Sequence, residues 1–366
     1  MNITRIKSLG ICAAGLLSGS TTFAETNLSG AIELDFVSRA HSYYTTPQAV
    51  QDGEKSYSTN SLMWAGDATI SFENMSEAAG MMVKTKVDAV ANVDGSVGTE
   101  DLYVRVGQQD SWDVTMGRFR AWDLYPTGSD CAFDVIDEEE GKLGIYEPNA
   151  SRGWKNGAIM TQAYFGPATL QLNVMTAPNS VTLGTGDAQT TVTTNMTAVR
   201  PAVKVETSGV TFLVGVEQIM DKAKNSQNMS DALPSSTGLG GGLSFGNDMI
   251  NVGLSFASYS NTTDSEAVLK DTKTSTGFYL TYKNEGIGDI GFGYHMSTHK
   301  NGAETAEVSV DNTVLFLSYA KKVFTDGLLL NAGYSIATSV TTADGVDDAL
   351  AESDGNEFIL RFIHNV

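Results

Sequence analysis

Phe278-Tyr279-Leu280-Thr281-Tyr282-Lys283-Asn284-Glu285-Gly286-Ile287-Gly288-Asp289-Ile290-Gly291-Phe292-Gly293-Tyr294-His295 is the stretch on which the reading of the chain turns. Phe278, Leu280 and Tyr282 alternate with Tyr279, Thr281 and Lys283. Beyond residues 284–286, Ile290, Phe292 and Tyr294 alternate with Asp289, Gly291 and His295. Side chains of an extended chain point to opposite faces in turn, so period two gives each strand one apolar and one polar face. The Asn-Glu-Gly cluster between them has the residues a hairpin connection requires.

The same rhythm runs outward in both directions. Ile32, Leu34 and Phe36 interleave with Ala31, Glu33 and Asp35; Gly66, Ala68, Ile70 and Phe72 with Asp67, Thr69 and Ser71. Val83, Thr85 and Val87 interleave with Lys84, Lys86 and Asp88, and Val104 and Val106 flank Arg105. Val199, Pro201, Val203 and Val205 alternate with Arg200 and Lys204, and Val210, Phe212, Val214 and Val216 with Thr211, Gly215 and Glu217. Tight turns fall at 77–80, 109–111, 166–167, 208–209, 246–248, 284–286 and 325–327. Longer polar stretches fall at 39–60, 93–98, 121–154, 178–194, 221–237, 261–272, 299–311 and 341–354. Seven short and eight long connections join sixteen strands. Alternation alone fits a soluble sandwich or a membrane barrel; strand length and number decide. Strands of about ten residues match the ~9–11 that cross a bilayer, whereas soluble strands more often have about five or six. The fold predicted is all-β: a sixteen-stranded antiparallel transmembrane barrel, apolar toward lipid and polar toward a wet lumen, with short turns at one end and long loops at the other.

Composition agrees. The 366 residues hold 43 acidic against 23 basic side chains, a net charge of −20, with 37 Gly, 7 Pro and 2 Cys. Such an excess of acid argues against a nucleic-acid partner, because phosphates are held by clustered Lys and Arg. Two cysteines, Cys12 and Cys131, cannot build a disulfide scaffold. Outside the N-terminus there is no run of the ~18 apolar residues that a membrane helix needs. Residues 1–24 read as a secretory signal peptide: Arg5 and Lys7, the apolar run 9–17, then Thr22-Phe23-Ala24 at the cleavage positions. Residues 25–366 are then one exported barrel domain.

The closing segment, Phe358-Ile359-Leu360-Arg361-Phe362-Ile363-His364-Asn365-Val366, sets Phe358, Leu360, Phe362 and Val366 at alternate positions, with only His364 breaking the apolar series. It resembles the C-terminal strand by which the barrel-assembly machinery recognises outer-membrane barrels, with Val366 standing where Phe is usual. From residue 25 onward the chain resembles the sixteen-stranded Gram-negative porins. That resemblance implies short periplasmic turns, extracellular loops and an outer-membrane location among lipid and lipopolysaccharide. It also implies a homotrimer and a third loop folded inward to constrict a channel for small hydrophilic solutes. Met116-Gly117-Arg118-Phe119 resembles the Gly-Arg strand end before the constriction loop, which would put Arg118 on the basic side of the pore. Strict alternation with Trp112, Val114 and Met116 points Arg118 outward instead, unless a bulge intervenes. The run Gly117-Arg118-Phe119-Arg120-Ala121-Trp122-Asp123-Leu124-Tyr125-Pro126 is similar to sugar-selective glycoporins of the raffinose-porin type, which makes carbohydrates candidate solutes.

The third loop, from Ala121 to Trp154, is the longest, and a structureless stretch of that size is usually functional. Its acids Asp123, Asp130, Asp134, Asp137, Glu138, Glu139 and Glu140 would form one wall of a constriction. Inward-facing Lys84, Lys86, Arg105, Arg200 and Lys204, with Arg118, would form the basic wall opposite. Opposed charges of this kind orient dipolar solutes and sort ions. Trp122, Tyr125, Phe133 and Tyr146 interleave with the acids, where their rings would either stack on sugar faces or anchor the loop. Adjacent carboxylates at 137–140 lack a regular ligand spacing, so no metal is assigned. His295 and His299 share a strand face only as distant neighbours, and Gly238, Gly240, Gly241 and Gly242 precede a strand, not the helix a phosphate loop needs. The expectation is a passive channel without cofactor or enzymatic activity, cation-preferring by its acidic charge. An outer-membrane barrel enzyme with a site at the rim, or a secreted β-rich structural protein, are the alternatives.

Overall fold

The computed structural model describes residues 25–44, 57–125, 158–183, 190–223, 235–262, 270–303, 306–323, 328–343 and 351–365. Sixteen strands follow one another: β1 (Glu25–Tyr44), β2 (Tyr57–Ala78), β3 (Met81–Asn92), β4 (Val97–Gln108), β5 (Trp112–Arg118), β6 (Ala158–Phe165), β7 (Ala168–Leu183) and β8 (Thr190–Thr207). The second half is β9 (Val210–Ala223), β10 (Ser235–Gly246), β11 (Ile250–Thr262), β12 (Lys270–Tyr282), β13 (Asp289–Ala303), β14 (Ala306–Lys322), β15 (Leu328–Ala343) and β16 (Ala351–Asn365). Each pairs antiparallel with its sequence neighbours, and β1 pairs with β16, so the sheet is a closed barrel. Closure leaves no edge, the condition for a sheet to pass through hydrocarbon that offers backbone groups no water.

The two faces separate as the alternation requires. On β13, Ile290, Phe292, Tyr294 and Met296 are exposed while His295 and Ser297 are buried; on β9, Val210, Phe212 and Val216 are exposed while Leu213 and Glu217 are buried. The exposed set, with Leu34, Ile70, Phe72, Leu102, Leu172, Leu254, Leu315 and Phe358 among it, wraps the outside as an apolar belt. Soluble monomers tolerate contiguous apolar patches of only a few hundred Å². The belt faces lipid and the buried polar set faces the lumen. Phe358 and Phe362 of β16 lie on the lipid face, in register with Ser38 and Leu34 of β1, and Leu360 lies between them opposite Phe36. Val366 lies outside the described residues.

Six of the tight turns stand where their residues place them, with Gly80, Gly166 and Gly209 at φ of 79°, 60° and 81°, which glycine reaches without steric cost; the turn expected at 325–327 lies outside the described residues. The opposite end departs from expectation. β7 and β8 keep pairing to Leu183 and Thr190, β13 and β14 to Ala303 and Ala306, and β1 and β2 extend to Tyr44 and Tyr57. Each extension lies inside a stretch that reads as loop. β3 and β4 are joined by only four residues, 93–96, where hydrogen bonds from the Ser96 hydroxyl and N–H hold the Asp94 carboxyl below its usual range. Where both faces of a strand are wet the apolar alternation disappears, yet Thr-rich backbone still favours the ladder. Hydropathy therefore ends the strands too early.

Candidate functional site: a crossbeam in the lumen

β5 has seven residues, and the chain leaves the barrel wall at its end. Gly117, at φ of 131°, makes the break, and a Cβ there would run into the carbonyl of Leu102. Arg118 closes the strand opposite lipid-facing Leu102, half-buried, its Nε enclosed without an acceptor among the described residues. Residues 119–125 then run into the lumen; the third loop beyond 125 lies outside the described residues.

Phe119, Trp122, Leu124 and Tyr125 of this segment are seated on the wall, while Arg120 is exposed. Phe119 is buried among Ala158 and Met160 of β6, Met175 of β7 and Ala198 of β8, edge-on to Tyr103 of β4 at 6.4 Å. The Trp122 N–H donates to Gln171 Oε1 at 3.3 Å, and its carbonyl accepts from Arg200 Nη2 at 2.5 Å. Asp123 Oδ1 accepts from the Tyr125 N–H at 2.7 Å, tightening the backbone there. Leu124 is fully buried against Ala202 of β8 and Leu213 of β9, in a notch at Gly215, where a Cβ would stand 2.5 Å from Leu124 Cδ2. Tyr125 is fully buried with Ala257 of β11, Val314 and Phe316 of β14 and Ala337 of β15. Its hydroxyl shares a 2.9 Å hydrogen bond with His295 Nδ1 of β13, and that imidazole stacks on Phe316 at 5.4 Å and 19°. A Cβ on Gly277 of β12 would run into the imidazole and stand 2.8 Å from Tyr125 Oη. β13 is eight strands from β5 in a ring of sixteen, so residues 119–125 form a crossbeam from one wall to the wall opposite.

Of the two roles open to Tyr125, this geometry gives it the anchoring one, because its enclosed ring has no face left for a sugar. It also corrects one expectation. Arg200 is fully buried beside the equally enclosed Glu217, with Nε 3.7 Å from Oε2, so it clamps the crossbeam and is not a cation presented to solutes. Trp122 stays half-buried, with Lys204 Nζ 5.0 Å above its ring and Glu206 3.0 Å from that ammonium. Asp130, Asp134, Asp137, Glu138, Glu139, Glu140, Phe133 and Tyr146 lie outside the described residues.

The remaining predicted bases share one sector, and each has a carboxylate partner that the sequence did not single out. Lys84 pairs with Glu73 at 2.8 Å, and Lys86 with Asp88 at 2.8 Å and Asp101 at 2.9 Å. Arg105 Nη2 donates to Asp113 at 2.5 Å and to Tyr164 Oη at 2.7 Å. These three cations keep side-chain exposures of 23%, 25% and 29%, against 0% for Arg200. Further round, Arg361 forks onto Asp35 at 2.8 and 2.9 Å and reaches Glu33 at 3.1 Å, and Arg39 pairs with Glu357. The crossbeam's packing partners thus lie on β4, β6–β9 and β11–β15, while the ion pairs of Lys84, Lys86, Arg105, Arg39 and Arg361 line β16 and β1–β5. Among the described residues no group of three or more His, Cys, Asp or Glu could hold a metal ion.

The model of a family described as porin-like glycoporin RafY matches residues 28–316. No curated protein matches the chain in sequence. Among solved structures, the outer membrane channel DcaP of Acinetobacter baumannii is similar with a TM-score of 0.62 at 13% identity, over 94% of this chain and 97% of that one. An anion-selective porin from Comamonas acidovorans gives 0.59 at 13%, over 94% and 100%. The trimer form of OmpT, an outer membrane protein of Vibrio cholerae, gives 0.57 at 11%, over 94% and 99%. At these identities it is the fold that is shared.

Proposed function

Because the chain belongs to the porin-like glycoporin RafY family, and is therefore a Gram-negative outer-membrane channel, we propose that it passes small carbohydrates through the sector the crossbeam leaves free. The family match over residues 28–316 carries this reading. The open wall supports it. Each half-exposed pair, such as Lys86 with Asp101, sets a donor beside an acceptor, and neighbouring sugar hydroxyls can accept from one while donating to the other. Trp122 offers what remains of its ring at the edge of the same passage, and the third-loop acids beyond Tyr125 would complete the constriction.

The same reading includes a cleaved signal peptide at 1–24, assembly-machinery recognition through Phe358, Leu360, Phe362 and Val366, and a homotrimer joined through the apolar belt amid lipid and lipopolysaccharide. A rim enzyme would use His295 as its base, but that imidazole is engaged by Tyr125 and Phe316 inside the lumen. A secreted structural protein would leave the belt in water. Conductance in planar bilayers, titrated with raffinose and maltotriose, tests the proposal. Saturable block of stable conductance steps is expected; steps untouched by either sugar would leave a channel without carbohydrate selectivity.

A further inference from the structure

We propose that the bulged part of the β3–β4 hairpin is a subsite for an ammonium group, which makes amine-bearing sugars the preferred solutes. The inference rests on the carbohydrate-channel reading. Val87 pairs with Leu102 and Ala89 with Thr99, so Asp88 between them faces two residues of β4, Glu100 and Asp101. Strict alternation from Leu102 would send Glu100 into lipid. The bulge turns it inward beside Asp101, where Arg120 of the crossbeam comes within 3.7 Å of its carboxylate. Asp67 of β2, opposite lumen-facing Glu33, completes the group, and Glu100 is within electrostatic reach of Asp67, Asp88 and Asp101 together.

Against these four carboxylates the ion pairs supply two cations, Lys86 and Arg120. Elsewhere on the same wall Lys84 pairs with Glu73 and Arg105 with Asp113 one to one, so the surplus of acid sits at the bulge. Lys86 shows what such carboxylates accept: its ammonium lies between Asp88 at 2.8 Å and Asp101 at 2.9 Å. The other two acids are held less well among the described residues, Glu100 by Arg120 beyond hydrogen-bond length and Asp67 by the Thr69 hydroxyl at 3.2 Å. Asp88 is 4% exposed, and its Oδ1 meets no donor among the described residues. A carboxylate oxygen enclosed without a donor is costly, and an ammonium entering from the lumen brings three. The carboxylates do not converge as metal ligands must, which suits a larger cation. Half-buried Tyr103, opposite Lys86 in the register, sets a ring beside them on which the apolar face of the sugar can lie.

The test is block of single channels by the glucosamine disaccharide, its N,N′-diacetyl form and 1,4-diaminobutane, at about pH 6, below the range of an ordinary amino group. The free amino sugar should block with a Kd about tenfold below that of the diacetyl form, the scale of one hydrogen bond to a charged group. Asp67→Asn with Glu100→Gln should bring the ratio to about one. Glu307→Gln with Asp311→Asn removes the same charge from β14 and should keep the wild-type ratio. Equal block by the two disaccharides, or block by the diamine as tight as by the amino sugar, would overturn the subsite while the carbohydrate channel stands. If the Asp67 and Glu100 variant gives no heat-modifiable barrel, the comparison on wild type decides alone. If neither disaccharide blocks, and raffinose and maltotriose fail as well, the carbohydrate reading falls with the subsite.

Discussion

Arg200 holds the carboxylate of Glu217 and the carbonyl of Trp122 from a site without solvent. Removing one member of a buried ion pair strands the other, at a cost of about 3–5 kcal/mol, whereas replacing both by neutral groups is often close to neutral. Arg200→Ala should therefore lower the urea midpoint of the folded barrel in lipid clearly, and Arg200→Met combined with Glu217→Gln should recover most of the loss. An unchanged midpoint in the single variant would remove Arg200 from the clamp. The sequence marks Arg200 as lumen-facing, because it alternates with Val199 and Pro201, and it marks Lys84, Lys86 and Arg105 in the same way. What alternation cannot supply is a partner. Lys86 meets Asp101 only through the register of β3 with β4, and Tyr125 meets His295 only through the ring as a whole. One signal was available for the second contact: small residues such as Gly277, Gly291 and Gly293 at inward positions, which open space beside a neighbouring large side chain.

Among the elements, the seam between β1 and β16 has the most specific chemistry. Asp35 stands opposite Arg361 and Arg39 opposite Glu357, with the order of charges reversed between the strands. Sliding the strands by four residues would set Asp35 against Glu357 in one direction and Arg39 against Arg361 in the other. A slip by one would send every lumen residue into lipid. The charges thus penalise the wrong registers as well as reward the right one. Arg361→Glu, facing Glu33 and Asp35, should lower the yield of heat-modifiable barrel several-fold. The exchange Asp35→Arg with Arg361→Asp should restore most of it; a double variant no better than the single would show that the seam charges are incidental. Strand count, strand faces and the tight turns among the described residues were readable, because a bilayer imposes strict period two on whatever it surrounds. Loop lengths were not, since beyond the lipid the ladder continues through residues such as 299–303 that carry no apolar face.

For the whole molecule, charge and closure matter. The described strands β16 and β1–β5 carry eight acids in ion pairs (Glu33, Asp35, Glu73, Asp88, Glu100, Asp101, Asp113, Glu357) against five bases (Arg39, Lys84, Lys86, Arg105, Arg361), Glu100 pairing with Arg120 of the crossbeam. With a net charge of −20 overall, potassium should permeate over chloride by a ratio of roughly two to five. A reversal potential of the opposite sign under a potassium chloride gradient would mean that bases outside this set rule the passage. Closure acts at another level. Fifteen of the sixteen strand pairings join neighbours in sequence, and the last joins residues as far apart as Asp35 and Arg361, 326 positions away. Chain entropy and slowness concentrate on that one event. A copy cut short before β16 would carry two raw edges, each with backbone groups that hydrocarbon charges several kcal/mol to accept. The bilayer itself therefore inspects the product: a full-length copy has a home there, and a truncated one is turned away, within reach of periplasmic proteolysis.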